Sequence, residues 1–159
     1  MEDKSFNVEQ VEDCRVKAEQ GNDTSQWMLG EMYLRGKGVN QDYEESVKWY
    51  RKSADQGNVD AQTKLGFMYN NGLGVPQDYE ESVNWYRKAS EQGNVDAQYN
   101  LGLMCYNKQK SFQDVVNRIV PELTMTDEGQ SIIHDYEEPV KWWKKASEQG
   151  HSNAQYSLG

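Results

Sequence analysis

Histidine, cysteine and proline are scarce in this sequence of 159 residues, which contains two, two and three of them. Two isolated histidines and two distant cysteines do not make a metal site, which takes about four nitrogen or sulfur ligands. Cys14 and Cys105 are expected to be buried thiols, because a disulfide framework needs several paired cysteines. Nucleophilic catalysis needs a cysteine or serine beside a histidine base, and Cys105 with His134 is the candidate pair. We predict no catalytic residue, no metal ligand and no cofactor, and a protein that is not an enzyme.

Long apolar runs and an excess of basic residues are also missing. No apolar run approaches the ~18 residues that a membrane span requires, and residues 1–10 are too acidic for a signal peptide. We expect no direct membrane insertion, and a cytoplasmic protein if Met1 is the native start, or a periplasmic or secreted one if a leader has been removed. The formal net charge of −9 argues against a nucleic-acid partner, because binding phosphates takes a basic patch.

The sequence does contain an internal repeat of 36 residues (57 − 21 = 36). Residues 21–56 can be laid over residues 57–92, and the coinciding pairs include Gly21/Gly57, Leu29/Leu65, Gly30/Gly66, Tyr33/Tyr69, Asp42/Asp78, Trp49/Trp85 and Tyr50/Tyr86. A period of this length indicates a stack of similar supersecondary units. Such units bury their apolar faces against their neighbours and form a solenoid. Solenoids present surfaces more often than they host chemistry, so we expect a binding protein.

Each repeat is predicted to be a pair of helices, called helix A and helix B. In the second repeat, apolar residues at helical spacing predict helix A over residues 59–71, followed by a loop of helix-breaking residues. Asp78, with Glu81 three positions later, is expected to cap helix B, and Gly93 to end it. Gly66 lies inside helix A, where glycine costs about 1 kcal/mol relative to alanine. Its recurrence indicates close packing of an aromatic residue from helix B.

The register of the repeats predicts one domain over residues 1–159. Its parts are a partial N-terminal helix at 7–20, repeat 1 at 21–56, repeat 2 at 57–92, repeat 3 at 93–149 with an insertion at 111–131, and a partial repeat 4 at 150–159. In the insertion, apolar residues from Phe112 to Leu123 follow the spacing of an amphipathic helix. Ser111 is a candidate N-cap for this helix, although helix A of repeat 3 is also able to run on toward Lys110.

Three strings of the sequence resemble the Sel1-like repeat family, a relative of the tetratricopeptide repeats: residues 97–102, residues 72–79, and residues 85–89 followed by Gly93 and Asn94. The resemblance covers residues 11 to 159 except for the insertion. It implies an all-α fold, a right-handed α-α superhelix (solenoid) of Sel1-like, TPR-like helix pairs. It also implies an adaptor role, because family members act in protein complexes, and some bacterial members neutralise a cognate toxin. The cysteine-rich secreted branch has a disulfide in each repeat, a pattern that this chain lacks.

Positions that differ between repeats indicate where a partner binds, because recurring residues serve the shared core. In tetratricopeptide-like solenoids helix A lines the concave groove, so the resemblance places several variable positions on that inner surface. The predicted protein-binding residues are Trp27, Glu31, Leu34, Thr63, Phe67, Asn70, Tyr99, Leu103 and Tyr106 in the groove, and Phe112, Val116 and Ile119 in the insertion. The alternative is that neighbouring repeats or the insertion partly cover this face. The recurring Trp49, Trp85 and Trp142 are expected to be core residues, not a ligand cage.

We therefore predict a non-enzymatic protein-protein interaction scaffold or adaptor. It binds a protein or peptide through the helix-A groove and the repeat-3 insertion. One alternative is a dedicated immunity or inhibitor protein that neutralises a single toxin or enzyme, to which the acidic composition adds a preference for a basic partner. Another is an enzyme with a site near Cys105 and His134. Self-association through a second copy of the chain is also open.

Overall fold

The computed structural model describes residues 8–119 and 137–158, and for Val8, Gln109 and residues 112–119 it describes the course of the backbone alone. Within these residues the chain forms eight helices and no strand, which confirms the all-α prediction. The helices are α1 (Val8–Glu19), α2 (Asp23–Arg35), α3 (Tyr43–Asp55), α4 (Val59–Asn71), α5 (Tyr79–Glu91), α6 (Val95–Ile119), α7 (Glu137–Glu148) and α8 (Ser152–Leu158).

The chain forms two compact units. Unit 1 comprises Met1–Asn94 and contains α1 to α5, in which each helix packs on the next one. Unit 2 comprises Val95–Gly159, in which α7 packs on both α6 and α8. Helices α2, α4 and α6 are the A helices of repeats 1 to 3, and α3, α5 and α7 are the B helices. The organisation as one repeat domain stays a prediction.

Polar side chains cap the helices of unit 1 at the N-terminal positions that the sequence predicts. The Asp78 carboxylate accepts a hydrogen bond from the Glu81 amide at 3.0 Å and begins α5, and Asp42 does the same for α3. Asn58 begins α4 by accepting a bond from the Ala61 amide at 3.0 Å. The predicted bounds of helix A in repeat 2 and the predicted cap of its helix B are thus confirmed.

The glycine inside each A helix makes room for an aromatic ring of its own helix B. A Cβ atom built on Gly66 would lie 2.7 Å from the Tyr86 ring, and one built on Gly30 equally close to the Tyr50 ring. In repeat 3 the same place beside Gly102 is filled by the indole of Trp143. The recurring glycines therefore allow a closer approach of helices than alanine would, as predicted.

A buried serine of helix B forms a hydrogen bond to the backbone carbonyl of the same glycine. The Ser82 hydroxyl donates to the Gly66 carbonyl at 2.7 Å, and the Ser46 hydroxyl to the Gly30 carbonyl at 2.8 Å. Pro139 takes this position in repeat 3 and is also buried. It brings neither the hydroxyl nor the backbone N–H that Ser82 donates to Asp78.

Buried glutamines join successive repeats of unit 1. The Gln62 amide donates to the Ala54 carbonyl of the preceding helix B at 3.1 Å and accepts from the Gln92 amide of its own helix B at 2.7 Å. Gln26 repeats both bonds, to the Ala18 carbonyl and from Gln56. Because these groups are buried and paired, they fix which helix faces which without leaving polar atoms unsatisfied.

The tryptophan and tyrosine columns form the core, and the prediction that they are not a ligand cage agrees with their burial. Trp49, Tyr50, Trp85 and Tyr86 are all buried in unit 1, as are Trp142 and Trp143 in unit 2. Lysines of the same helices lie over the outer indole faces, with Lys88 at 4.0 Å from the Trp85 ring centre and Lys52 at 4.1 Å from that of Trp49. These cation–π contacts occupy the faces that a ligand would need.

Repeat 3 departs from one prediction. Helix α6 is continuous from Val95 to Ile119, so Ser111 lies inside it and the expectation that Ser111 begins a separate helix is wrong. The loop glycines of the other repeats are replaced here by Lys108 and Lys110, which favour helix over the positive φ that Gly72 and Gly74 adopt. The alternative, that helix A runs on, is confirmed. Pro121 and Leu123 lie outside the described residues.

Candidate binding face of the A helices

The part of the predicted site in unit 1 lies where α2 and α4 adjoin. The Glu31 carboxylate of α2 lies 3.1 Å from the Lys64 ammonium of α4, so the two helices present neighbouring residues. We call this surface the unit-1 face. Its residues are Trp27, Glu31 and Leu34 on α2, with Thr63, Phe67 and Asn70 on α4.

Glu31 is held by three partners. Its carboxylate accepts hydrogen bonds from the Tyr50 hydroxyl at 2.7 Å and from the Arg35 Nε at 2.7 Å, in addition to the Lys64 contact. Burial by itself raises the pKa of Glu31, but the hydrogen bonds from Tyr50 and Lys64 and the charge of Arg35 outweigh it and lower this pKa below its ordinary value. Burial, and then the bond to Glu31, raise the pKa of the Tyr50 hydroxyl. Glu31 is therefore ionised at neutral pH and serves partly to join the helices.

A Glu31→Gln variant is expected to unfold with a free energy about 1 kcal/mol lower than wild type at pH 7, the upper end for partly exposed ion pairs. Because folding lowers the pKa of Glu31, the charge stabilises the folded state above the ordinary glutamate pKa of about 4.3 and loses this effect as the pH falls through the lowered value. Urea titrations of both proteins between pH 7 and pH 3 should show the difference shrink. A difference independent of pH would contradict a role for the charge.

Phe67 is the most exposed apolar residue of the unit-1 face, with 46% of its surface accessible. It lies on α4 one turn after the half-buried Thr63 and Lys64, and one turn before the half-buried Asn70. Its repeat equivalents are Glu31, which is charged, and Leu103, which is apolar and packs against a core cluster. Phe67 thus has no role that the repeats share, and its ring is available to another molecule.

Other residues of the unit-1 face contribute to folding. Trp27 and Leu34 are half-buried and pack against the core cluster that contains Tyr50 and Leu65. The alternative that neighbouring repeats partly cover this face therefore applies to these two side chains. The rest of each side chain remains accessible to solvent.

Unit 2 contains the other predicted groove residues. Tyr99, Leu103 and Tyr106 on α6 are half-buried and pack against the cluster of Trp143, Ala146 and Ala154. The Tyr106 ring centre lies 5.7 Å from that of Trp143. These residues therefore help to pack unit 2, and part of each side chain is exposed to solvent. The side chains of the insertion residues Phe112, Val116 and Ile119 lie outside the described part of the structure, although the backbone places these residues in α6.

Three residues of potential functional interest were not among the predicted site residues. Tyr79, the first residue of α5, is 60% exposed, and Tyr156 of α8 is 89% exposed. His151 caps α8 in the column of Asn22 and Asn58, and its ring stacks on Tyr99 with centres 4.5 Å apart. The sequence signal for His151 is that histidine replaces asparagine at a position where the earlier repeats have asparagine.

The described residues contain little that catalysis could use. No group of three histidine, cysteine, aspartate or glutamate side chains in residues 8–119 and 137–158 is placed to hold a metal ion. Cys14 is buried and burial raises the pKa of its thiol, but Cys105 is only half-buried, which corrects the expectation of two buried thiols. His134 lies outside the described residues, so the pair with Cys105 stays untested. Within the same residues, no helix is long and apolar enough to cross a membrane.

A comparison with protein families gives a clear match. The model of the Sel1 repeat matches residues 24–58, 59–94, 95–115 and 125–151. The break between the last two stretches falls inside the predicted insertion. No match was found among curated proteins.

Solved structures of bacterial proteins share the fold. The chain is similar to a Sel1 repeat protein from Oxalobacter formigenes, with 29% identity and a TM-score of 0.71 over 93% of this chain and 51% of that one. It is similar to c5321, a protective antigen present in uropathogenic Escherichia coli strains and displaying an SLR fold, with 32% identity and a TM-score of 0.64 over 96% of this chain and 36% of that one. It is also similar to cysteine rich protein B of Helicobacter pylori, with 25% identity and a TM-score of 0.54 over 56% of this chain and 67% of that one.

The chain therefore spans about half the length of the first of these proteins and about a third of the second. Unlike a cysteine-rich protein, it contains two cysteines in 159 residues. The shared fold confirms the predicted solenoid of helix pairs. On the family match, which covers more than half of the sequence, the chain belongs to the Sel1 repeat family.

Proposed function

We propose that this chain is a protein-interaction scaffold that binds a protein or peptide segment on the surface of its A helices. Sel1 repeat proteins are generally protein-interaction scaffolds and are typically not enzymes. The observation that supports the proposal most strongly is Phe67, a large apolar side chain 46% exposed at a position that differs in every complete repeat. Exposed aromatic residues of this kind often mark interaction sites.

The surroundings of Phe67 suit a peptide. Glu31, Lys64 and Arg35 bring both signs of charge to the unit-1 face, and Asn70 adds an amide. An apolar centre with polar groups at its edge is the usual composition of a protein interface. We propose that Phe67 receives an apolar side chain of the partner, while the charged residues fix the direction of the bound segment.

The insertion is proposed to add specificity. It extends α6 to 25 residues, about 37 Å at ~1.5 Å per residue, whereas α2 and α4 have 13 residues each. Phe112, Val116 and Ile119 are spaced to share one side of this helix. A partner that contacts this part of α6 would distinguish this chain from relatives with a loop of ordinary length.

A dedicated inhibitor of one toxin or enzyme is the second candidate. The observation in its favour is the net charge of −9, which would speed association with a basic partner and make binding weaken with salt. A one-to-one complex of nanomolar affinity with a single basic protein would favour this role. Several unrelated partners of micromolar affinity would favour the general scaffold.

Two exposed aromatic residues of the same unit provide a matched test. The photoreactive residue p-benzoylphenylalanine would replace Phe67 in one protein and Tyr79, at the start of helix B, in another. After irradiation in the native cell, we expect a discrete crosslinked protein from position 67 and none from position 79. The same adducts from both positions, or an adduct from position 79 alone, would contradict binding on the surface of the A helices.

A further inference from the structure

His151 stands in a column that asparagine occupies in the earlier repeats. In repeat 2 the Asn58 side chain makes two contacts: its Oδ1 accepts from the Ala61 amide at 3.0 Å, and its Nδ2 donates to the Asp23 carboxylate at 3.1 Å. The first bond caps the helix that follows, and the second joins it to helix A of the preceding repeat. An asparagine side chain makes both bonds at any pH, because it does not titrate near neutrality.

The imidazole of His151 reproduces the first of these contacts in unit 2 and places its other nitrogen near a carboxylate of α6. Its Nδ1 accepts a hydrogen bond from the Ala154 amide at 3.2 Å and so caps α8. Its Nε2 lies 3.5 Å from the carboxylate of Asp96, the second residue of α6, whereas Asp23 is the first residue of α2. The ring also stacks on Tyr99, with an angle of 23° between the planes. The bond from the Ala154 amide needs the lone pair of Nδ1, so it assigns the neutral tautomer with its hydrogen on Nε2.

A proton from solvent can bind this neutral ring only at the lone pair of Nδ1. The resulting N–H would point at the Ala154 N–H, so two donors would face each other and the cap would be lost. The N-terminus of a helix also disfavours positive charge. Imidazole is the side chain that changes charge between about pH 5 and pH 8.

The other groups around the ring do not replace the cap. Asp96 favours the protonated ring, but its side chain is 77% exposed, so water screens this attraction. The stacked Tyr99 ring offers no acceptor to a hydrogen on Nδ1 in the plane of the imidazole. From α7, the Ala146 carbonyl accepts from the His151 backbone N–H, and the charged side chains of Lys145 and Glu148 are exposed to solvent. The site at Nδ1 therefore decides whether the cap survives.

We propose that His151 makes the attachment of α8 sensitive to pH. At neutral pH the capped helix keeps Ala154 buried against Trp143 and Ala146. When acid protonates the ring at Nδ1, the cap is released and α8 loosens from this cluster. Because Tyr99 stacks on His151, the change also reaches a residue of the predicted binding surface, although the proposal does not depend on what binds there.

Hydrogen exchange tests this proposal in the full chain. The protection of the α8 amides is measured between pH 7.5 and pH 5, corrected for intrinsic exchange rates, with the amides of α4 as an internal reference. In wild type we expect α8 protection to fall about five-fold relative to α4, the typical value of one side-chain N-cap. His151→Asn places the residue of the other repeats in this column and should remove the pH response while leaving α8 folded.

Three results would overturn the proposal. They are a wild type without pH response, the same fall in wild type and His151→Asn, and a rise in protection on acidification. The last would show that attraction between the protonated ring and Asp96 dominates. An Asp96→Asn variant separates the two effects further, since loss of the cap predicts that its α8 protection still falls on acidification.

Discussion

Replacement of Gly74 by alanine is expected to lower the free energy of unfolding by about 3 kcal/mol, by combining a strained backbone with overpacking. Gly74 has a φ of +70°, which L-residues with a Cβ rarely adopt. A Cβ atom built there would also collide with the carbonyl group of Tyr43, at the start of α3 in the preceding repeat. Because that carbonyl belongs to the backbone, it cannot rotate away as a side chain would. The loop of repeat 2 would have to move off helix B of repeat 1.

Gly57 provides the control for this experiment. It has a φ of +94°, but a Cβ atom built on it meets nothing within 4 Å. Gly57→Ala therefore adds backbone strain alone, which costs about 1–2 kcal/mol. Urea unfolding of both variants separates the strain from the collision. Equal losses of stability would contradict the close packing of the Gly74 loop on Tyr43.

Gly66→Ala is expected to lower the free energy of unfolding by about 2 kcal/mol, because overpacking costs up to about 3 kcal/mol and alanine returns about 1 kcal/mol of helix propensity. The added methyl group would lie 2.7 to 2.9 Å from three carbon atoms of the Tyr86 ring. That ring is itself buried, so it has no free space into which to move.

A double-mutant cycle with Tyr86→Leu tests the cause. If Gly66 exists to admit the Tyr86 ring, the added methyl group should cost much less once the ring is gone, and the two losses of stability should not add. Additive losses would indicate that Gly66→Ala destabilises the protein for another reason. An increase in stability in the single variant would show that helix propensity outweighs the contact.

The repeated parts of the fold could be predicted because several residues report the same feature. The column of Gly66 indicated an aromatic ring from helix B, and Asp78 with Glu81 indicated where α5 begins; both are observed. Repeat 3 was harder to predict, because Ser111 is both a good N-cap and a tolerable helix residue. Helix α6 runs on through this region because Lys108 and Lys110 replace the glycines that form the loop in the other repeats.

The binding surface could be predicted only in part. The exposure of a side chain depends on how neighbouring helices pack around it. The spacing of apolar residues along one helix does not give this information. Phe67 and Trp27 occupy variable columns of the same kind, yet Phe67 is exposed and Trp27 packs against the core. The role of His151 required the positions of Asp96 and Tyr99 around its ring, which only the folded chain brings together.

The measurement that tests the binding account most directly is a titration of the crosslinked partner against three proteins: wild type, Phe67→Ala and Tyr79→Ala. Both substitutions remove an exposed aromatic ring of unit 1, so both variants should remain folded by circular dichroism. The account predicts that Phe67→Ala weakens binding about ten-fold or more, as truncation of an interface aromatic often does, and that Tyr79→Ala leaves it unchanged. Equal affinity of wild type and Phe67→Ala, or a loss confined to Tyr79→Ala, would contradict binding on the surface of the A helices.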